Sequence, residues 1–127
     1  HLARTGRPAA SLLAWRWTPE GGVADWNVAA DADADAALAL LLAAEQWPAA
    51  SGPYRAAALA MLEDLRTHVV VPDEQGQPHF LPGAWADERA QGRGLVLNPS
   101  YLAPAWFRAF HAATGQPVWA ALVDSSY

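Results

Sequence analysis

The chain has 127 residues, of which 53% are hydrophobic and 17% charged; this composition is typical of a folded domain with a sizeable core, not of a disordered segment. Its net charge of −5, without a basic stripe, argues against a nucleic-acid partner. The absence of cysteine excludes disulfides and thiolate metal sites, and no run approaches the roughly 18 apolar residues that a membrane-spanning helix needs.

The first segment, residues 1–30, is interrupted by proline and by Gly21-Gly22 and is therefore predicted to be mostly loop. A first helix is predicted from the aspartates that follow to Trp47, where Pro48 ends it. This helix is apolar on nearly every face, which is typical of a helix packed on all sides.

A second helix is predicted to open at residues 51–53, with proline in its first turn. Apolar residues recur from Tyr54 to Val69 at i, i+4, i+7, i+8, i+11 and i+15 and define one helical face. Two shorter helices follow, one from near Ser100 to Gly115 and one that starts at Pro117. Their apolar residues are Leu102, Trp106, Phe110 and Ala113 on the former, and Trp119, Leu122 and Val123 on the latter.

A long irregular stretch separates the second and third helices. Its first part, residues 69–81, places two apolar triplets around a turn rich in proline, glycine and polar residues, and it predicts a short β-excursion. Short connections join the helices in pairs, while long loops precede helices one and three. Stacked helical hairpins give this alternation, and long loops on such a scaffold usually carry function. We expect an all-α fold with that one β-excursion.

Asp31, Asp33 and Asp35 alternate with alanine directly before the first apolar helix. Capping is one interpretation, since a carboxylate accepts from free backbone N–H groups and suits the positive end of the helix dipole, but one aspartate is enough for it. A calcium loop has the same carboxylate spacing, but Ala36 stands where it needs glycine and Leu42 where it needs glutamate. A carbohydrate site is the third interpretation.

The tryptophans favour the carbohydrate interpretation. Glycosidases combine carboxylates at a groove with aromatic side chains on which sugar rings stack, and seven tryptophans are many for a core alone. Those in loops are predicted to be exposed platforms and those on helices to pack in the core. The loop tryptophans are Trp15, Trp17, Trp26 and Trp85, and the helical ones are Trp47, Trp106 and Trp119.

The run from Asn27 to Trp47 resembles the signature helix of family 8 glycoside hydrolases, with bacterial cellulases associated with cellulose synthesis as the suggested subgroup. The family pattern reads alanine, serine or threonine, aspartate, alanine or glycine, aspartate, then an apolar helix that ends in an aromatic residue. The sequence departs from it at Ala30, where the family has a hydroxyl residue, and at Ala36, where it has isoleucine or methionine. Further landmarks, matched in order, are Leu13 to Trp17, Leu81 to Gly83, Asn98 to Leu102 and Phe110 to Trp119.

The resemblance implies a barrel of six helical hairpins, an (α/α)6 barrel, of which this chain would form about two hairpins. It also implies an endo-acting enzyme that hydrolyses β-1,4 bonds with inversion, in which one carboxylic acid protonates the leaving oxygen and another carboxylate activates water. The implied substrate is a cellulose-like β-1,4-glucan, with chitosan or xylan as alternatives. No cofactor, metal or membrane is implied, and the parent protein is expected to be secreted or periplasmic.

Residue roles carry over from the family by motif. Asp31 is implied to sit at the cleaved sugar and to hold it in a distorted ring, and Asp33 to support it from behind or to cap the helix. Trp15 and Trp85 fall where the family places sugar-stacking aromatics. The predicted substrate-binding residues are Trp15, Trp17, Asp33, Trp85 and Tyr101.

The family's proton-donating glutamate and its base aspartate belong to helices outside this chain, and no motif makes Glu20 or Asp25 a substitute acid. We therefore expect the 127 residues to be one part of a single catalytic domain and to be inactive alone, since each proton-transfer group is worth about 10²–10⁴ in rate. Exposed apolar helix faces would then favour self-association. Two other hypotheses stay open: a non-catalytic remnant that binds glycans through exposed tryptophans, and a structural module whose aspartates only cap.

Overall fold

The computed structural model describes residues 10–126. This part of the chain is mainly helical, and none of its helices is long and apolar enough to span a bilayer. The helices are α1 (Ala30–Gln46), α2 (Ser51–His68), α3 (Pro104–Thr114) and α4 (Pro117–Asp124). The strands are β1 (Arg16–Trp17), paired antiparallel with β2 (Val23–Asp25), and β3 (Val70–Pro72), paired antiparallel with β4 (Pro78–Phe80). Single 3-10 turns are formed by Pro48–Ala50, Ala84–Ala86, Arg89–Gln91 and Pro99–Tyr101.

Helices α1 and α2 form a hairpin whose connection is the 3-10 turn that begins at Pro48, which confirms the predicted helix pair. The buried face of α1 recurs at intervals of three or four residues, and four of its six buried residues are alanine, so the two helix axes can approach closely. Larger side chains from α2 fill the space behind it. The buried residues are Ala30, Asp33, Ala34, Ala37, Leu41 and Ala44 on α1, and Ala58, Met61, Leu62 and Leu65 on α2.

The other side of α1 is not covered by the described residues. Leu42 is 56% exposed, and Leu38 and Leu40 are only half-buried. The prediction of a helix packed on all sides is therefore wrong within residues 10–126, because α2 and the segments near it cover one face only.

Helices α3 and α4 pack through an aromatic cluster. The Trp119 ring stacks on Phe107 at 6.2 Å between centroids and meets Phe110 edge-on at 5.3 Å. Phe80 of β4 lies 5.3 Å from Phe107, so the cluster joins this helix pair to the second sheet. Helix α3 begins at Pro104 and not near Ser100 as predicted.

The late start of α3 has a local cause. The residue before a proline is disfavoured in the α region, and Ala103 accordingly adopts φ −125° and ψ 76°. The preceding residues form a separate 3-10 turn, in which the Asn98 side chain accepts from the backbone N–H of Ser100 at 3.1 Å.

The predicted β-excursion is confirmed as the β3–β4 hairpin, with Val70 opposite Phe80 and Val71 opposite His79. Asp73 organises its turn: one carboxylate oxygen accepts from the N–H groups of Gln75 and Gln77, at 2.9 and 2.8 Å, and the other lies 3.0 Å from Nε2 of His79.

The segment before β1 is held against both long helices, although it was predicted only as loop. The Ser11 N–H donates to the Asp64 carboxylate of α2 at 2.9 Å, and the Leu13 N–H donates to the Asp33 carboxylate of α1 at 2.8 Å. Between them Leu12 is fully buried. These anchors fix the point from which Trp15 emerges.

Candidate functional site

A groove of about 290 Å³ lies in front of α1. Three segments that are far apart in the sequence meet there: the first sheet, the residues that lead into α1, and the long loop before α3. Trp15 and Trp85 are 53% and 54% exposed, so both present a broad apolar face to solvent. The lining residues are Trp15, Asp25, Asn27, Val28, Ala29, Pro82, Trp85 and Tyr101.

The long loop is pressed against the start of α1 at Gly83. The Pro82 carbonyl accepts from the Ala30 N–H at 3.0 Å, which satisfies one of the free donors of the first helical turn. A Cβ on Gly83 would lie 2.7 Å from the Val28 carbonyl oxygen and 2.5 Å from Nε1 of Trp85. Only glycine fits here, and its small size lets the Trp85 ring fold back over the loop.

Asp31 is exposed in the first turn of α1, where its Oδ1 accepts from the Ala32 N–H at 2.8 Å. The cap position is Ala29, which provides no side-chain acceptor. Asp31 lies beside the Tyr101 hydroxyl. Burial, followed by the Asp31 charge and a hydrogen bond to that carboxylate, raises the pKa of Tyr101. The phenol therefore stays protonated and donates a hydrogen bond to the Asp31 carboxylate. The structure thus brings these two predicted site residues together.

Asp33 lies behind the groove. It is 1% exposed, and its Oδ1 accepts from the Leu13 N–H at 2.8 Å. Support from behind, one of its predicted roles, matches this position, but direct contact with a ligand does not, because the side chain does not reach the groove. Asp35 is exposed farther along α1. Residues 10–126 contain no group of three or more acidic or histidine side chains placed to hold a metal ion.

Asp25 is a groove residue that the sequence did not single out as a binding residue. Its Oδ1 accepts from the Asn27 N–H at 2.8 Å. That bond, followed by a hydrogen bond from the Trp15 indole, lowers the pKa of Asp25. Arg16 pairs with Asp25 across the first sheet and adds a favourable charge. The feature that marks Asp25 as a groove residue is its position beside Trp15, which follows from the register of the β1–β2 pairing. The sequence alone does not give that register.

The remaining tryptophans divide differently from the prediction. Trp17 is 39% exposed, as predicted, but its indole donates to the Ala14 carbonyl at 3.3 Å and it does not line the groove. Trp26 is half-buried, so it is not the exposed platform that was predicted. Trp119 is buried as predicted, whereas Trp47 is 56% exposed. Trp47 follows the last residue of α1, where the Tyr54 ring packs on it at 6.1 Å between ring centroids.

The comparisons with known proteins agree with this architecture. The whole chain, residues 1–127, matches the family described as Glycosyl hydrolases family 8. Endoglucanase 2 of Ruminiclostridium josui is 32% identical over 121 residues, which are 91% of this chain and 24% of that protein. The chain thus spans about a quarter of that relative's length.

Two solved structures match more than nine-tenths of the chain. One is a family 8 endo-β-1,4-glucanase from an Achatina fulica gut metagenomic library, with a TM-score of 0.78 and 31% identity over 98% of this chain and 38% of that one. The other is a β-1,3-1,4-glucanase from Paenibacillus sp. X4, with a TM-score of 0.79 and 28% identity over 93% of this chain and 30% of that one. The predicted partial helical barrel is confirmed, and the chain belongs to family 8 of the glycosyl hydrolases.

Proposed function

We propose that the chain is one part of the catalytic domain of an inverting endo-β-1,4-glucanase and that Asp31 acts at the cleaved sugar. The observation that carries this proposal is the groove in front of α1, which is lined by the exposed Trp15 and Trp85 and by Tyr101, whose hydroxyl lies against Asp31 beside the groove. The names of two similar proteins, endoglucanase 2 and an endo-β-1,4-glucanase, support the substrate class.

The groove's chemistry suits a glucan chain. The flat C–H faces of β-linked glucose stack on indole rings, while the ring edges carry hydroxyls that need acceptors. Asp31 accepts from hydroxyls of the sugar at the cleavage point. The Tyr101 proton occupies one side of that carboxylate and fixes its direction, so the sugar is held in one orientation and its distorted ring is stabilised.

The acid and base of the reaction come from other parts of the whole protein. An inverting glycosidase needs one protonated and one ionised carboxyl group, about 6.5–9.5 Å apart. Asp25 is unsuited to the acid role, since its lowered pKa keeps it ionised. Asp31 is engaged by Tyr101 and holds the substrate. The 127 residues alone are therefore inactive, and the exposed face of α1 around Leu42 favours their self-association.

A second candidate function is glycan binding without cleavage, and the two exposed groove tryptophans favour it because they need no acid or base. For either function the ligand is a β-linked polysaccharide, with β-1,4-glucan as the leading candidate. The name of the Paenibacillus relative adds mixed β-1,3-1,4-glucan to the substrates worth assaying, beside chitosan and xylan. Such polymers do not enter cells, so the parent protein acts outside the cytoplasm, secreted or in the periplasm.

The decisive experiment is Asp31→Ala in the whole protein that carries this chain, assayed on carboxymethyl-cellulose. We expect turnover to fall by about 10²-fold or more while the melting temperature is kept. Asp35→Ala is the matched control, since it removes an exposed carboxylate from the same helix outside the groove. Near-wild-type hydrolysis by the Asp31 variant would remove the assigned role. A parent protein that cleaves no glucan, but whose tryptophan fluorescence is quenched by cello-oligosaccharides, would favour the binding function.

A further inference from the structure

Asp25 and Trp15 form a connected unit at one end of the groove. Both line it: Trp15 lies directly before β1, and Asp25 lies in β2 opposite Arg16. The backbone N–H of Trp15 donates to the Asn27 carbonyl at 3.2 Å, and the Asn27 N–H donates to the Asp25 carboxylate at 2.8 Å. The indole N–H of Trp15 donates to the same carboxylate. The ring is thus held at its backbone and at its polar edge.

The Asp25 carboxylate has more interactions than the turn at Asn27 requires. One bond from Asn27 is enough to close the turn, yet Asp25 also receives the indole N–H and remains only half-buried at the groove wall. A carboxylate has about four acceptor sites. The Asn27 N–H uses one of them at 2.8 Å, and the Trp15 indole and the Asn27 side chain lie near enough to lower the pKa of Asp25. Acceptor capacity therefore remains for a ligand in the groove.

We infer that Asp25 is the polar half of a sugar subsite whose apolar half is Trp15: it orients the indole for stacking and accepts a hydrogen bond from a hydroxyl of the stacked sugar. This inference rests on the proposed function and names a further binding residue for it. The lowered pKa keeps Asp25 ionised in mildly acidic as well as neutral solution, and an ionised carboxylate is a stronger acceptor than a neutral acid.

We place this subsite next to the cleavage point, not at it. Asp31 and Tyr101 lie at the start of α1 and in the turn before α3, whereas Asp25 lies in β2 and Trp15 directly before β1. On this inference, the sugar stacked on Trp15 is a neighbour of the sugar that is cleaved. Loss of Asp25 weakens the hold on chains long enough to occupy both places and leaves the chemical step intact.

The test uses Asp25→Asn in the whole protein, with cello-oligosaccharides of increasing length as probes. Asparagine keeps the size of the side chain and removes its charge. We expect KM, and the dissociation constant measured by tryptophan quenching, to rise about tenfold for the longer oligosaccharides, with kcat within about twofold of wild type. Trp15→Ala should give the same dependence on chain length. Glu20→Gln is the matched control, because Glu20 is an exposed carboxylate in the β1–β2 connection outside the groove.

Three outcomes would overturn the role of Asp25 or the proposed function. Unchanged KM and binding in Asp25→Asn, with weakened binding in Trp15→Ala, would overturn the role of Asp25 and leave the proposed function standing. A loss that is equal for all oligosaccharides and accompanied by a lower melting temperature would make Asp25 a structural residue and also overturn it. A wild-type protein that neither binds nor cleaves any β-glucan at millimolar concentration would remove the proposed function, and this inference with it.

Discussion

The Tyr101 hydroxyl lies against the Asp31 carboxylate, which joins the last turn before α3 to the first turn of α1. The two residues are 70 positions apart in the sequence, and both were predicted to belong to the site. Because the pKa of Tyr101 is raised above its ordinary value of 10.0, the phenol is protonated at neutral pH. At neutral pH it is a permanent donor to Asp31.

Tyr101→Phe tests this contact. A hydrogen bond to a charged group contributes about 1.5–3 kcal/mol, so we expect kcat/KM on cello-oligosaccharides to fall by about 10- to 100-fold in the whole protein, with little change in melting temperature. Tyr54→Phe is the control, since it removes a phenol hydroxyl beside Trp47, away from the groove. Equal activity of the two variants would mean that Tyr101 does not serve Asp31.

Gly83→Ala tests the close contact between the loop and α1. The new methyl group would lie 2.5 Å from Nε1 of Trp85 and 2.7 Å from the Val28 carbonyl, so the loop and the indole must move. We expect a loss of about 1–3 kcal/mol in the free energy of urea unfolding and weaker glucan binding. Gly94→Ala should change neither, because nothing lies within 4 Å of a Cβ at that glycine. A stable, tightly binding Gly83 variant would contradict the described packing.

Asp33→Ala tests the anchor behind the groove. It leaves the Leu13 N–H without its carboxylate acceptor, and an unsatisfied buried group costs about 1–3 kcal/mol. We expect the urea midpoint to fall accordingly, with partial recovery in Asp33→Asn, which keeps an acceptor oxygen. Asp35→Ala, at an exposed position, should unfold like wild type. If the two alanine variants were equally stable, Asp33 would not be a structural anchor.

Three tryptophans with nearly equal exposure allow a test of whether the groove, and not exposure alone, determines glucan binding. Trp15, Trp85 and Trp47 are 53%, 54% and 56% exposed, but only the first two line the groove. We expect Trp15→Ala and Trp85→Ala to weaken cello-oligosaccharide binding by about tenfold each, and Trp47→Ala to leave it unchanged. Isothermal titration of the whole protein gives the three affinities. A loss in Trp47→Ala as large as in the other two would show that the groove is not where the glucan binds.

We expect the Asp73 carboxylate in the β3–β4 hairpin to make the melting temperature depend on pH below about 4. The hydrogen bond to His79, and next the Gln77 N–H, hold the pKa of Asp73 below its ordinary value of 3.8. A carboxyl group whose pKa is lowered by folding contributes stability in full above that ordinary value and loses it as the pH falls through the folded-state value. Melting curves below about pH 4 should therefore fall more steeply for wild type than for Asp73→Asn. Parallel curves would contradict the role of Asp73.

The sequence predicted those features that depend on local pattern. Proline at position 48 and the aspartates before the apolar run predicted the limits of α1, and two triplets around a turn with proline and glycine predicted the β3–β4 hairpin. The predicted start of α3 is wrong: the apolar stripe includes Leu102, but Pro104 keeps Ala103 out of the helix, so α3 begins at Pro104.

Features that depend on tertiary contacts were not predictable in the same way. Leu42 and Ala37 look alike in an apolar pattern, yet the first is 56% exposed and the second fully buried, because coverage is decided by where α2 lies. Asp25 was passed over as a binding residue for the same reason. Its meeting with Trp15 follows from the register of a two-stranded sheet with an irregularity between Arg16 and Trp17, and no local pattern encodes that register.

The buried alanines of α1 carry no chemical group, yet they determine how far Asp31 lies from the core. Ala34 and Ala37 are at most 2% exposed, and Ala58 of α2 is fully buried. The side-chain volume at these positions determines the spacing between the two helices. A valine at position 37 would push α1 away from α2. The first turn of α1 would then move Asp31 away from the Tyr101 hydroxyl. Methyl groups that touch no ligand thus set the geometry of the site as firmly as the carboxylate itself.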